Sequence, residues 1–336
     1  MRKIFFGLTF GPLPFALSFF GALLLVLCYS ASAQQQTKIP RIAWLTGGNI
    51  PPDRKEAFRL GLRELGYIEG KNITIEWRSA QGQRDRVTAL AEELVRLKVD
   101  VILTGSASDT RGTKAATTTI PIVMTNDGDP VGNGFVASLA RPGGNITGLS
   151  TLSPELAGKR LELLKEIIPK LSRLAVFGTS NSASNAHELK EVEGAAGLLG
   201  LKLQYFDVLA LKDIEPAFRA AAKGRADAVL WLVSGGVVTV VQAQTAVRNS
   251  KNLLPTIYPS QNQVEAGGLM SYGVNLVDLA RRAAYFVDKI LKGAKPAELP
   301  VEQPTKFELG INLKTANQIG LSIPQWTLMK ADKVIK

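Results

Sequence analysis

Short apolar runs and helical periods alternate along the chain from Arg41 onward. Arg41-Ile42-Ala43-Trp44-Leu45 is a continuous apolar run ending in Thr46-Gly47-Gly48-Asn49, the pattern of a strand buried on both faces and its turn. Over 53–65 apolar residues recur at Ala57, Phe58, Leu62 and Leu65, one face of a helix, and Gly66 supplies its C-terminal stop. The pattern then predicts strands over 72–77, 100–103 and 120–124, with a helix over 84–97.

The same order returns about 130 residues later. Arg173-Leu174-Ala175-Val176-Phe177 repeats the first strand and ends in Gly178-Thr179-Ser180-Asn181, and a helix to Leu199 stops at Gly200. Residues 201–208, 227–230 and 255–257 repeat the later strands, so five matches keep register at offsets of 127–134 residues. Such a repeat implies an α/β protein of two similar Rossmann-like lobes, each with a mainly parallel sheet covered by helices. Turns at 140–145 and 265–268 read as the exits from the two domains, and a helix over 275–291 as a return to the first. Lobe 1 is therefore expected over 38–147 plus about 270–294. Lobe 2 is expected over 148–269 plus about 295–336, whose Pro-punctuated tail crosses the hinge.

The first 33 residues belong to neither lobe. Arg2 and Lys3 precede an apolar stretch over 4–27, and Ser30-Ala31-Ser32-Ala33 follows, the layout of an export signal cleaved after Ala33. The alternative is an uncleaved anchor, against which stand Gly7, Gly11, Pro12 and Pro14 within the stretch. Lipid attachment at Cys28 is disfavoured by the bulk of Leu27 before it. A periplasmic protein whose mature part does not span the membrane is the expectation.

Composition narrows the chemistry. The 336 residues are 46% hydrophobic and 21% charged, which suits globular domains. One Cys and one His exclude zinc sites, disulfide frameworks and most His-based catalysis, and no G-x-S-x-G elbow or phosphate-binding loop occurs. No enzyme, cofactor or metal is expected. Losing Arg2 and Lys3 lowers the formal charge from +11 to +9, but the basic residues are dispersed among acidic ones, so no nucleic-acid partner is implied.

In parallel sheets ligands gather where strands end and helices begin. The candidate loops are rich in short hydrogen-bonding groups: Thr46 and Asn49 after the first strand, Thr104, Gly105 and Ser106 after the third, Asp127 and Asp129 after the fourth. The second lobe offers Thr179, Ser180, Asn181, Ser234, Ser260 and Glu265. Thr104, Gly105 and Ser106 suit a carboxylate, with Ser108 or Asp109 capping the helix that follows. Asp127 or Asp129 suits an ammonium; turn formation is the competing role for both, and a solvated loop position that for Glu265.

Four segments carry a family resemblance. Gly66-Tyr67-Ile68-Glu69-Gly70-Lys71-Asn72, the run from Ser138 through Arg141-Pro142-Gly143-Gly144-Asn145 to Gly148, Gly267-Gly268-Leu269-Met270-Ser271-Tyr272-Gly273, and Leu299-Pro300-Val301-Glu302-Gln303-Pro304-Thr305-Lys306-Phe307 follow in order. Together they resemble the ABC transporter substrate-binding family that includes tryptophan-binding TrpX-like lipoproteins. The resemblance implies a type I periplasmic binding protein fold with a multi-segment hinge and no catalysis. It also implies a monomer that captures a small solute, an aromatic amino acid in some members, for a membrane permease driven by a separate ATPase. A sensory module of the same fold, signalling to a membrane receptor, is the alternative.

Overall fold

The computed structural model describes residues 38–83, 85–180, 183–232 and 254–336, with Met1 and Gly7. The expected leader and its cleavage site, Asn181 and Ser234 lie outside the described residues.

Strand β1 (Arg41–Thr46) is buried on both faces, and its alternating side chains enter different layers. Ile42 and Trp44 join Phe58 and Leu62 of α1 (Pro52–Glu64), whereas Ala43 and Leu45 join Val87, Leu90 and Leu94 of α2 (Arg86–Arg96). Strands β2 (Thr74–Ser79), β3 (Val101–Thr104), β4 (Ile122–Asp127) and β5 (Ile146–Ser150) complete a parallel sheet in the order β2-β1-β3-β4-β5, and α3 (Ala107–Ala116) joins β3 to β4.

The second lobe repeats this plan. After α4 (Ser153–Ile167), β6 (Arg173–Gly178) again divides its side chains, Leu174 and Val176 to one layer, Ala175 and Phe177 to the other. There follow α5 (Ala183–Leu198), β7 (Lys202–Asp207), α6 (Ile214–Lys223), β8 (Ala228–Trp231), β9 (Thr256–Tyr258), α7 (Gln261–Glu265) and β10 (Met270–Gly273). The order β10-β9-β8-β6-β7 is that of the first sheet, and all four of these pairings are parallel. Helix α8 (Leu276–Leu291) then packs Ala280, Ala283, Ala284 and Val287 against the first lobe's Ile42, Trp44 and Phe58. The tail adds β11 (Glu308–Asn312), α9 (Leu313–Gln318), α10 (Gln325–Lys330) and β12 (Lys333–Ile335), with β11 antiparallel to β10 and parallel to β12.

The chain crosses between lobes three times: between Ser150 and Ser153, between Gly273 and Leu276, and between Glu302 and Glu308. Glu302 still bonds along β5, through its N–H to Gly148 O at 2.9 Å and its carbonyl to Ser150 N–H at 2.9 Å. These crossings differ from the exits read in the turns. The turn at 140–145 precedes β5, which pairs with β4 in the first sheet. The turn at 265–268 precedes β10, which has ladder partners in the second sheet on both sides, Met270 facing Ile257 and Ile311. The expected lobe 1 segment 270–294 therefore has its strand in the second sheet and its helix on the first, and β5 extends the first past 147. Each glycine-rich turn leads into one more strand before the chain leaves.

Helices α1 and α8 approach closely at Gly61, where a Cβ would stand 2.4 Å from Arg281 O and 2.9 Å from Ala284 Cβ. Neither partner is a flexible side-chain end. Gly61→Ala is expected to lower stability by ~1–3 kcal/mol in urea unfolding, despite alanine's better helix propensity. A variant as stable as the parent would show that the two helices can separate without cost.

Candidate functional site

The C-terminal ends of β1, β3 and β4 in one lobe and of β9 in the other open on neighbouring cavities. The larger, about 330 Å³, lies between the start of α1 and the start of α7 and is floored by the second crossing. Asp53 and Arg54 line it from the first lobe, Ser260, Gln261 and Glu265 from the second, and Asn275 from the crossing. Beside it a recess of about 30 Å³ has an apolar wall of Trp44, Ile50, Leu276 and Ala280 facing Thr46, Asn49 and Gly105. Arg54 and Leu276 belong to both.

The charged groups of the large cavity are mostly committed. Lys333 Nζ meets Glu265 Oε1 at 2.5 Å, and Asn275 donates its amide to Glu308 Oε1 at 2.8 Å while its own oxygen caps α8. Asp332 accepts from Leu309 N–H at 2.7 Å, and Asp53 from Arg54 N–H at 2.8 Å. The Arg54 side chain is different: its Nε is buried and has no hydrogen-bond partner. Burial pulls the Arg54 pKa below the ordinary guanidinium value, with the charge of Asp53 opposing the shift.

Of the residues expected from sequence, Thr46, Asn49 and Gly105 meet in the recess, and Ser260 and Glu265 in the large cavity. A Cβ on Gly105 would stand 3.0 Å from Thr46 Oγ1, a tight approach of the backbone to that side chain. The other described candidates have local partners. Ser106 is the N-cap of α3, accepting from Asp109 N–H at 3.3 Å, so the cap lies earlier than Ser108 or Asp109. The Thr104 hydroxyl pairs with Thr110 at 2.7 Å. Thr179 N–H bonds Asn185 Oδ1, and Ser180 bonds Asp207 through both its N–H and its hydroxyl.

Asp129 and Asp127 sit where the lobes touch. Asp129 contacts His187 of α5, in the other lobe, and a Cβ on Gly128 would stand 2.8 Å from Ser184 Oγ on the same helix. Nearby, the buried Arg160 ties α4 to β10 by donating from Nε to Tyr272 O at 2.8 Å, and its Nη1 lies 3.8 Å from buried Glu188. Asp127 is buried; its Oδ1 accepts from Asn133 Nδ2 and Asp129 N–H, and its Oδ2 has no hydrogen-bond partner.

Sequence reasoning did not select Arg54, Gln261, Asn275 or Glu308. One signal for Arg54 was present: it stands three and four residues before Ala57 and Phe58, the buried side of α1, where a cation is out of place. Among the described residues no helix is long and apolar enough to cross a membrane, and no group of three or more His, Cys, Asp or Glu is placed to hold a metal.

Two α/β lobes with mainly parallel sheets, three crossings and a cavity between strand ends define a type I periplasmic binding protein fold. The chain belongs to the ABC transporter substrate binding protein family, which matches residues 53–335. It is thus a solute-binding component of an ABC importer for a small molecule, working with a membrane permease and carrying out no catalysis. It is 27% identical over 286 residues to a tyrosine-binding protein of Clostridioides difficile, covering 84% of this chain and 81% of that one. Among solved structures, a conserved domain protein from Vibrio cholerae aligns at a TM-score of 0.82 and 29% identity, covering 88% of this chain and 100% of the other. The ABC domain of Streptococcus pneumoniae in complex with L-Trp aligns at 0.80 and 26% identity, covering 88% and 99%.

Burial pushes the Asp127 carboxyl up to about 6, against the hydrogen bonds from Asn133 and Asp129, which lower it. An unfolded aspartate titrates near about 3.9, so between these values the fold holds a proton that the unfolded chain releases. The stability Asp127 contributes is therefore complete at low pH and lost as pH rises through about 6. Asp127→Asn is expected to gain ~2 kcal/mol relative to wild type between mildly acidic and mildly alkaline buffer, read by urea unfolding. Parallel stability curves would show that Asp127 titrates normally.

Proposed function

We propose that the chain captures an amino acid with an aromatic side chain between its two lobes in the periplasm and presents it to the permease of an importer with a separate ATPase. The cavity between the strand ends carries this reading. Its volume of about 330 Å³ suits one small solute, its rim is charged, and an apolar wall of Trp44, Ile50 and Leu276 adjoins it. An amino acid with a ring has this division, charges at one end and apolar surface at the other. The tyrosine-binding relative and the L-Trp complex support the same class. Thr46, Asn49, Gly105, Ser260 and Glu265 are the expected residues that shape the pocket. Export with cleavage after Ala33 and a monomeric mature chain complete the proposal.

Native mass spectrometry of protein purified without added ligand, followed by thermal-shift titration with L-tryptophan and L-tyrosine, tests it. A solute that binds only the folded state at a hundred times its Kd adds ~2.7 kcal/mol of stability. A co-purified amino acid or an upward shift with either compound is expected. A sugar or purine carried through purification, with no response to amino acids, would overturn the reading.

His187 and Asp129 join the lobes directly and are half-exposed and partly buried respectively. His187→Ala is expected to weaken solute affinity about twofold to fivefold, mainly through faster release in stopped-flow measurements, because a half-exposed side-chain contact contributes ~1 kcal/mol or less. An unchanged release rate would place the contact outside the closing motion.

A further inference from the structure

We infer that Arg54 is the residue that recognises the solute's carboxylate: its guanidinium adjoins both the large cavity and the apolar recess, with no side-chain partner at its buried Nε. The inference rests on the amino-acid reading above and adds to it the group of the protein that grips the solute's charged end.

The other arginines of α1 show what an engaged guanidinium looks like in this fold. Arg59 Nε lies 2.6 Å from Glu69 and Arg63 Nη2 lies 2.6 Å from Glu56, and both pairs are away from the cavity. Arg54 stands on the buried side of the helix, and its Nε is shut from water without an acceptor. A buried charged donor left unmet is costly, and an arriving anion removes that cost with charge-assisted hydrogen bonds. The planar guanidinium fork matches the two oxygens of a carboxylate.

None of the cavity's own carboxylates accepts from Arg54 Nε. Glu265 is held by Lys333, Glu308 by the Asn275 amide and Asp332 by a backbone N–H. The hydroxyls first assigned to the carboxylate are also engaged, Thr104 with Thr110 and Ser106 at the cap of α3. Arg54 is left lining both cavities with its Nε unmet. From there a bound carboxylate has the apolar wall of Trp44 and Leu276 on one side for the solute's ring and the acidic Asp53 and Glu308 on the other for its ammonium.

Calorimetric titration of the full mature chain with L-tryptophan and L-tyrosine, and with L-tryptophanamide and L-tyrosinamide, separates this contact from general affinity. Wild type is expected to prefer the acids over the amides by about tenfold to a hundredfold, the range of a charge-assisted contact. Arg54→Gln should bring acid and amide close together, chiefly by weakening the acid, and Arg54→Lys should retain part of the preference. Melting temperatures of the ligand-free variants should be no lower than that of wild type, which separates a lost contact from a damaged fold. If R54Q binds the acids and keeps the wild-type acid-to-amide ratio, Arg54 does not read the carboxylate, and the solute-capture reading stands without it. If wild type binds neither acids nor amides, the amino-acid reading falls and takes this inference with it.

Discussion

A parallel sheet must be covered on both faces, and this requirement shapes the molecule. In the first lobe one face is covered partly by α1 and partly by α8, a helix reached only after the chain has built β6 to β10 of the other sheet. In the second lobe α5 plays the part of α1 and α4 that of α8, since Ala157, Leu161 and Leu164 of α4 pack with Val192 and Ala196 of α5. The correspondence is complete: β5 leads across to α4, and β10 leads across to α8. Each lobe takes a covering helix from the chain that has just left the other, so neither core is continuous in sequence. Crossings are the consequence, and a hinge is what paired crossings make. The site lies beside them, with Asn275 and Leu276 of the second crossing at the cavity floor.

Much of this was legible. The repeat from Arg41 to Arg173 located β1 and β6, the type I periplasmic binding protein fold followed from the resemblance, and Gly66 and Gly200 adopt the positive φ of helix stops, 90° and 65°. The crossings were placed too early because a glycine-rich turn looks the same whether the next strand rejoins its sheet or abandons it. The offset between copies held the missing information. Carried one strand further, the repeat pairs Ile146–Ser150 with Met270–Gly273, putting β10 in the second sheet as β5 is in the first.

The site was less legible, for a physical reason. Strand-end loops could be found from the pattern, and Thr46, Asn49, Gly105, Ser260 and Glu265 do border the cavities. Short hydroxyls and carboxylates at such positions, however, first meet the orphan backbone donors of the next helix. Ser106 does so at α3, and Asp109 reaches back to Gly47 N–H at 2.8 Å. The polar group left for a guest comes instead from a helix face, Arg54 of α1, and it meets the crossing residues Asn275 and Leu276 only through the way the lobes fold back on each other. No local pattern encodes that meeting.

The same geometry sets the energetics of capture. The contact between His187 and Asp129 that bridges the lobes is half-exposed at the imidazole, and such surface contacts contribute ~1 kcal/mol or less. Turning a population from one part in a hundred closed to ninety-nine takes about 5.5 kcal/mol of differential binding. The direct contact cannot supply that, so in the proposed capture between the lobes the closing free energy comes from groups that gain partners only when a solute lies between them. Arg54 with its shielded Nε, and the apolar wall beside it, are groups of that kind. A fold that closed on its own contacts would hold its cavity shut against the solute; one whose rims stay under-satisfied closes when the missing partner arrives.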